Sequence, residues 1–264
     1  MDYRELIFSL TDGVAVITLN RPEKLNALGP TLRTSLTEAL KEVADNDAIR
    51  VMVLTGEGDA FCSGADVGAY AEQIKGARVE PTRGSFLNLR GTFGLAIRNL
   101  DKPTIAAVNG VAAGAGFSLA LACDIRIASE KARFTLAFIK RGLVPGNGAT
   151  YLLPRLIGSS RACRLAFTGD TIGAGEAERI GLVDRIVPHD ELQTAAMELA
   201  QRIAKLPPIA LAFTKRAIYS GMESTFESQL QYEAYAQNIC RTTEDYREGV
   251  ASFLEKREPV FKGR

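Results

Sequence analysis

The stretch Gly110-Val111-Ala112-Ala113-Gly114-Ala115-Gly116-Phe117-Ser118-Leu119-Ala120-Leu121-Ala122-Cys123-Asp124 follows the apolar run Thr104 to Val108 and decides how this chain is read. Its glycines Gly110, Gly114 and Gly116 fall where a strand gives way to a helix, a turn that aims unpaired backbone N–H groups outward. Glycine lets a ligand approach the main chain closely, and the first turn of a helix adds partial positive charge. Such a place suits an oxygen that becomes negative during a reaction, so the segment is a candidate oxyanion site. The same glycines and alanines equally suit close helix-on-sheet packing.

A second segment favours the first alternative. After the apolar run Val51 to Thr55 comes Gly56-Glu57-Gly58-Asp59-Ala60-Phe61-Cys62-Ser63-Gly64-Ala65-Asp66, another glycine-rich loop leaving a buried strand. Two such loops leaving strands of one sheet can present one N–H each to the same atom.

Around these two loops the periodicities alternate. Val14, Val16, Ile17 and Leu19 read as a strand, Leu32, Leu36, Leu40 and Val43 recur at helical spacing, and Val51 to Leu54 is again a strand. Thr104 to Val108, a helix over 114–122 and a strand over Ile125 to Ala128 repeat the arrangement without a sequence repeat. Residues 68–100 are irregular and charged, and read as a mobile cover ending in a helix with Phe86, Leu89, Phe93 and Ile97 on one face. From Leu192 onward helices dominate, broken at Pro207-Pro208.

Composition limits the partners. In 264 residues, Lys+Arg 32 balance Asp+Glu 31, so no global basic excess points to nucleic acid or to an anionic membrane surface. The hydrophobic share of 46% supports a sizeable core. Cys62, Cys123, Cys163 and Cys240 are scattered without a CxxC pair, which fits reduced thiols in a cytoplasmic chain and no metal site. No signal-peptide pattern opens the chain, and no apolar run has the length of a membrane span. The glycine spacing Gly110-x3-Gly114-x-Gly116 is not GxGxxG, and P-loop, GxSxG and HExxH patterns are absent, which excludes the dinucleotide, nucleotide, serine-hydrolase and zinc-protease readings.

Phe61 to Asp66, Asn109 to Gly116 and Cys123-Asp124, with Asn20-Arg21-Pro22-Glu23-Lys24-Leu25-Asn26-Ala27-Leu28, Phe167 to Asp170 and the C-terminal run from Arg247 to Lys262, resemble the enoyl-CoA hydratase/isomerase (crotonase) superfamily along nearly the whole chain. The resemblance implies an α/β fold, a spiral of strand-strand-helix turns with a C-terminal helical oligomerisation region. It divides the chain into a core at 1–191, carrying the acyl-CoA site, and a helical trimerisation region at 192–264. A homotrimer or dimer of trimers is expected. No permanently bound cofactor is implied, coenzyme A being part of the thioester substrate.

Residue by residue, the resemblance places the oxyanion donors at the backbone N–H groups of Ala65 and Ala115, with Gly64, Asp66 and Gly114 beside them. It sets Lys24, Leu25 and Ala27 along the CoA moiety and lets Lys262 reach CoA phosphates of a neighbouring subunit, against the alternative of a fraying charged tail. Arg241 stands where many members have an aromatic. The two glutamates with which the family hydrates enoyl thioesters correspond here to Ser118 and Phe138, and the acid of related isomerases to Gly146. All three carboxylate positions are therefore empty.

Ser118 and Asn147 remain as candidates, Ser118 also reading as a helix residue that bonds back to the preceding turn and Asn147 as a binding group. Glu72, Glu80 or Tyr70 of the cover could carry a proton; Lys140 and Arg141 read as solvent-facing. Asp66 reads first as a helix cap and His189 as part of a turn opening a helix. Three functions stay open: enolate chemistry with an unusual or substrate-supplied proton carrier, a CoA-binding scaffold, and a divergent enolate reaction such as decarboxylation or thioester hydrolysis.

Overall fold

Strands buried on both faces read as continuous apolar runs, and Val51–Gly56 and Thr104–Val108 are buried at every position. The computed structural model describes residues 3–68 and 93–264. Its larger sheet has the order β1-β2-β3-β5-β7-β10, with β1 Leu6–Thr11, β2 Val14–Leu19, β3 Val51–Gly56, β5 Thr104–Val108, β7 Ile125–Ser129 and β10 Arg185–Val187. All neighbours are parallel except the β1/β2 hairpin, which turns through Asp12 and Gly13 at positive φ.

A second sheet, β4-β6-β8-β9, is built from three-residue strands: β4 Ala60–Cys62, β6 Val111–Ala113, β8 Arg133–Thr135 and β9 Thr171–Gly173. Each long strand β3, β5 and β7 feeds one of these short strands before the chain moves on, so successive turns stack as a spiral. Three residues are too few to show an alternation, which is why the sequence reveals the long strands and not the short ones.

Side-chain alternation splits the packing into two layers. Ala15, Ile17, Leu19, Met52, Leu54, Ala106 and Val108 face the main core, where they meet Leu32, Leu36 and Leu40 of helix α1 (Pro30–Asp45). Val14, Val51, Val53, Ile105 and Ala107 face the other way. That face is covered by α7 (Leu192–Ala204) through Leu192, Ala195, Ala196 and Ala200. The first helix of the region expected at 192–264 is thus a layer of the sheet. The remaining helices are α8 (Pro208–Gly221), α9 (Phe226–Thr242) and α10 (Glu244–Glu255).

Helix α3 (Ala115–Ala122) is buried along all eight residues, as a helix apolar on every side must be. Its C-terminal end is fixed by charge. Arg126 donates to the carbonyl of Cys123 at 2.7 Å and to that of Leu182 at 2.8 Å, a cation where the helix dipole is negative. Asp124 accepts from the Thr104 amide and hydroxyl and pairs with Lys215 of α8 at 2.9 Å. Tyr219 of α8 donates to the same carboxylate, and its phenol is pushed up first by burial and then by the Asp124 charge. The C-terminal helices are docked on the core through this cluster.

Candidate active site

The three glycines of the deciding segment divide between the two roles the sequence allows. A Cβ on Gly110 would lie 1.9 Å from the Asp59 carbonyl oxygen, and one on Gly116 only 2.1 Å from that of Cys62. These two glycines serve close packing. Gly114 has φ +51 and ψ −120, a conformation open to glycine, and the nearest atoms to its missing Cβ are the Phe138 ring carbons at 4.0 Å. It is the turn that aims Ala115, the first residue of α3, away from the sheet.

Gly64 turns the second loop in the same way, with φ +101. A Cβ there would lie 2.8 Å from the Ala113 carbonyl oxygen and 3.4 Å from the Ala115 nitrogen, so the turn carrying Ala65 lies directly against the turn carrying Ala115. Among the described residues no group accepts the N–H of Ala65 or of Ala115, and Ala65 is exposed. The bridge between Leu28 and Ala65 runs through the neighbouring Gly64 carbonyl, which accepts the Leu28 amide at 2.7 Å.

Among the described residues, the side chains at positions 118, 138 and 146 carry no acid. Phe138 is half-buried, with its ring over Gly114. Ser118 is fully buried in α3 and its hydroxyl donates back to the Gly114 carbonyl at 3.2 Å, leaving it no reach toward a ligand. Gly146 has nothing within 4 Å of a built Cβ, and Asn147 takes φ +53 with its carbonyl packed on Gly94 of α2 (Phe93–Arg98). Cys62 lies beneath the turn with its thiol pushed up to about 12 by burial, which keeps it protonated and no nucleophile. Lys140 and Arg141 are exposed in a short 3-10 turn.

Lys24 and Leu25 are exposed on the 3-10 turn Pro22–Lys24 and its exit, whereas Ala27 is buried. This segment is braced to the loop 57–66 by residues whose part the sequence reading missed. Asn26, fully buried at φ +56, donates to the carbonyls of Glu57 (2.9 Å) and Ala60 (2.7 Å) and accepts the Arg21 amide at 2.8 Å. Asn109 likewise donates to Gly58 and Ala60. Asp66, read first as a cap, precedes helical Val67 and is in addition the ionic partner of Arg21 at 2.7 Å. Asn109, polar within the apolar run from Ala106 to Ala113, carried a signal for such a role; Arg21 and Asn26 stand in a polar segment and carried none.

Other expected residues lie apart from the pair or outside the described residues. His189 opens its turn as read, with Nδ1 2.9 Å from the buried Ser129 hydroxyl. Arg241 is exposed against Gln237 and Asn238. Glu72, Glu80, Tyr70, Phe86 and Leu89 fall outside the described residues, while Phe93 and Ile97 are buried on α2 as expected. The tail does not hang loose: the amides of Lys262 and Gly263 donate to Asp245, and Glu248 holds Arg257 and the Val260 amide, which draws its carboxyl down to about 2. Lys262 thus has a fixed backbone and an exposed side chain. No group of metal-ligating side chains occurs among the described residues. A cleft of about 390 Å³ at the far end of α3, lined by Arg98, Asp124, Arg126, Lys215 and Tyr219, has its charges engaged with one another.

Comparison with known proteins bears on the family and the fold. Residues 9–264 match the family described as enoyl-CoA hydratase/isomerase. The chain is 40% identical over 258 residues, 96% of each chain, to a 1,2-epoxyphenylacetyl-CoA isomerase of Escherichia coli K12. It is 42% identical over the whole of both chains to a probable enoyl-CoA hydratase of Rhodobacter capsulatus. Among solved structures, an enoyl-CoA hydratase from Bacillus anthracis superposes with a TM-score of 0.91 at 38% identity, covering 99% of this chain and 100% of that one. The spiral of strands, the paired glycine turns and these matches across the full length lead to one conclusion: the chain belongs to the enoyl-CoA hydratase/isomerase family.

Proposed function

We propose that this protein acts on acyl-CoA thioesters by holding the thioester carbonyl oxygen between the main-chain N–H groups of Ala65 and Ala115. The observation that carries this reading is the contact of the two positive-φ glycine turns, Gly64 lying within 3.4 Å of the Ala115 nitrogen when a Cβ is built on it. When a proton leaves the α-carbon, its bonding pair moves toward the carbonyl and charge gathers on oxygen. Fixed donors lower that barrier because they need no reorganisation, and each is worth roughly a hundredfold or more in rate. The α3 dipole adds to them at Ala115.

Lys24 and Leu25, exposed at the rim, with the main chain at Ala27, hold the CoA moiety; Gly64, Asp66 and Gly114 shape the thioester end, and Lys262 meets CoA phosphates across a subunit boundary. Hydration needs an acid and a base, and Ser118, Phe138 and Gly146 supply neither. Crotonyl-CoA is accordingly a poor hydration substrate, and the proton carrier comes from the substrate or from the segment 69–92. The ring of Phe138 over Gly114 favours a second reading within the same site. A thioester with a carboxyl on the α-carbon would lose it as CO2, the electron pair passing into the enolate without any base.

Exchange of the α-proton into deuterated water separates these readings. Exchange with simple acyl-CoA esters supports enolate chemistry with a proton carrier, and turnover confined to α-carboxylated esters supports decarboxylation. Thermal stabilisation by CoA esters with neither leaves a scaffold, and no stabilisation by any ester refutes the proposal.

A further inference from the structure

The two halves of this candidate site, the segment 21–28 and the loop 57–66, are joined by more than the main chain. Ser63 donates its amide to Leu25 at 2.9 Å and its hydroxyl to Lys24 at 3.2 Å, and Leu28 donates to Gly64. Leu25 and Asn26 are consecutive non-glycine residues at φ +50 and +56, a conformation that persists only when its surroundings enforce it. Among the described residues a charged side chain also crosses the joint. Arg21 Nη1 lies 2.7 Å from Asp66 Oδ2 and donates to the Ala27 carbonyl at 3.2 Å, with both side chains about one-sixth exposed, at 16% and 17%. A Cβ on Gly29 would lie 2.6 Å from that same Nη1, so glycine there is what leaves room for the guanidinium. Glu5 and Glu23 stand 3.5 and 3.7 Å from Nε, so that with Asp66 three carboxylates surround the one guanidinium.

We propose that Arg21 is a positioning residue: by gripping Asp66 and the Ala27 carbonyl together it locks the CoA-contact segment to the residue after Ala65, so that seating CoA on that segment sets the aim of the Ala65 amide. This inference rests on the thioester reading above. Its physical basis is that an oxyanion donor acts only when already aimed, and that contacts remote from the reacting atoms are the usual source of that alignment. Both contacts run from the one nitrogen Nη1, which the planar guanidinium holds in a fixed direction; the flexible stem of a lysine would hold its ammonium there less well.

The test compares two ligands that differ in one oxygen, butyryl-CoA and the thioether S-butyl-CoA, titrated calorimetrically into wild type, Arg21→Met, Arg21→Lys and Asp66→Asn. The wild type is expected to prefer the thioester by about tenfold, the size of two modest hydrogen bonds. In Arg21→Met the preference falls to near unity while S-butyl-CoA binds within about twofold of wild type. Arg21→Lys and Asp66→Asn, which keep a cation or an acceptor, fall between. An unchanged preference in Arg21→Met overturns the proposal. So does an equal loss of affinity for both ligands, the mark of a merely structural role. If the wild type itself does not distinguish the ligands, the thioester reading is what fails, and Arg21 falls with it.

Discussion

At Gly114 and Gly116, two residues apart, the same side-chain absence does different work. Gly114→Ala meets open space and is penalised by backbone conformation, about 1–3 kcal/mol, with the Ala115 N–H turned from its aim. Gly116→Ala drives a methyl into the Cys62 carbonyl and forces α3 from β4, costing up to about 3 kcal/mol or more. Thermal unfolding should therefore rank Gly116→Ala as the less stable variant, and isotope exchange should rank Gly114→Ala as the more impaired per folded molecule. Gly146 offers the opposite experiment. Among the described residues nothing lies within 4 Å of its Cβ position and its φ is not positive, so Gly146→Asp should fold and, by placing an acid where the resemblance puts that of the isomerases, raise α-proton exchange about a hundredfold. The residues at positions 118, 138 and 146 could be set against the family's carboxylates from the sequence alone because such positions are read one residue at a time. It did not separate Gly114 from its neighbours, because only the packing partner tells a conformational glycine from a steric one.

Among the elements, β2, β3, β5, β7 and α1 were legible because five residues or more run apolar or repeat a period, whereas β1, mostly exposed, was not read. The short strands β4, β6, β8 and β9 were not, although they are what stack the two glycine turns. The role of α7 was equally hidden: an amphipathic helix looks the same whether it covers a sheet or a neighbouring subunit, and here Leu192, Ala195, Ala196 and Ala200 cover the sheet. The helices beyond it differ. Phe226 of α9 is 81% exposed, and Phe253 of α10 is 82% exposed with Leu254 and Val250 on the same helix. Apolar faces of this kind mark interaction surfaces. A homotrimer or dimer of trimers built on α8 to α10 predicts a native mass of three or six times 28.5 kDa by sedimentation, shifting toward monomer in a Phe253→Glu/Leu254→Glu variant. A native monomer would remove the assembly reading.

Across the whole molecule, the spiral exists to bring two turns distant in sequence, at residues 64–65 and 114–115, to one point. Their likeness could be read from the chain, and so could the family. Their contact could not, since it depends on strand stacking, and neither could the brace of Arg21, Asn26 and Asp66 behind it. The central claim is that both amides grip a single thioester oxygen. The infrared stretch of a carbon-13-labelled acyl-CoA carbonyl reads this directly, because two hydrogen bonds weaken the C=O bond. Bound to the wild type, that stretch is predicted to move to lower frequency than in water, and to return toward its free value in Gly114→Ala. A saturated complex whose carbonyl frequency equals that of the free ester would contradict the account.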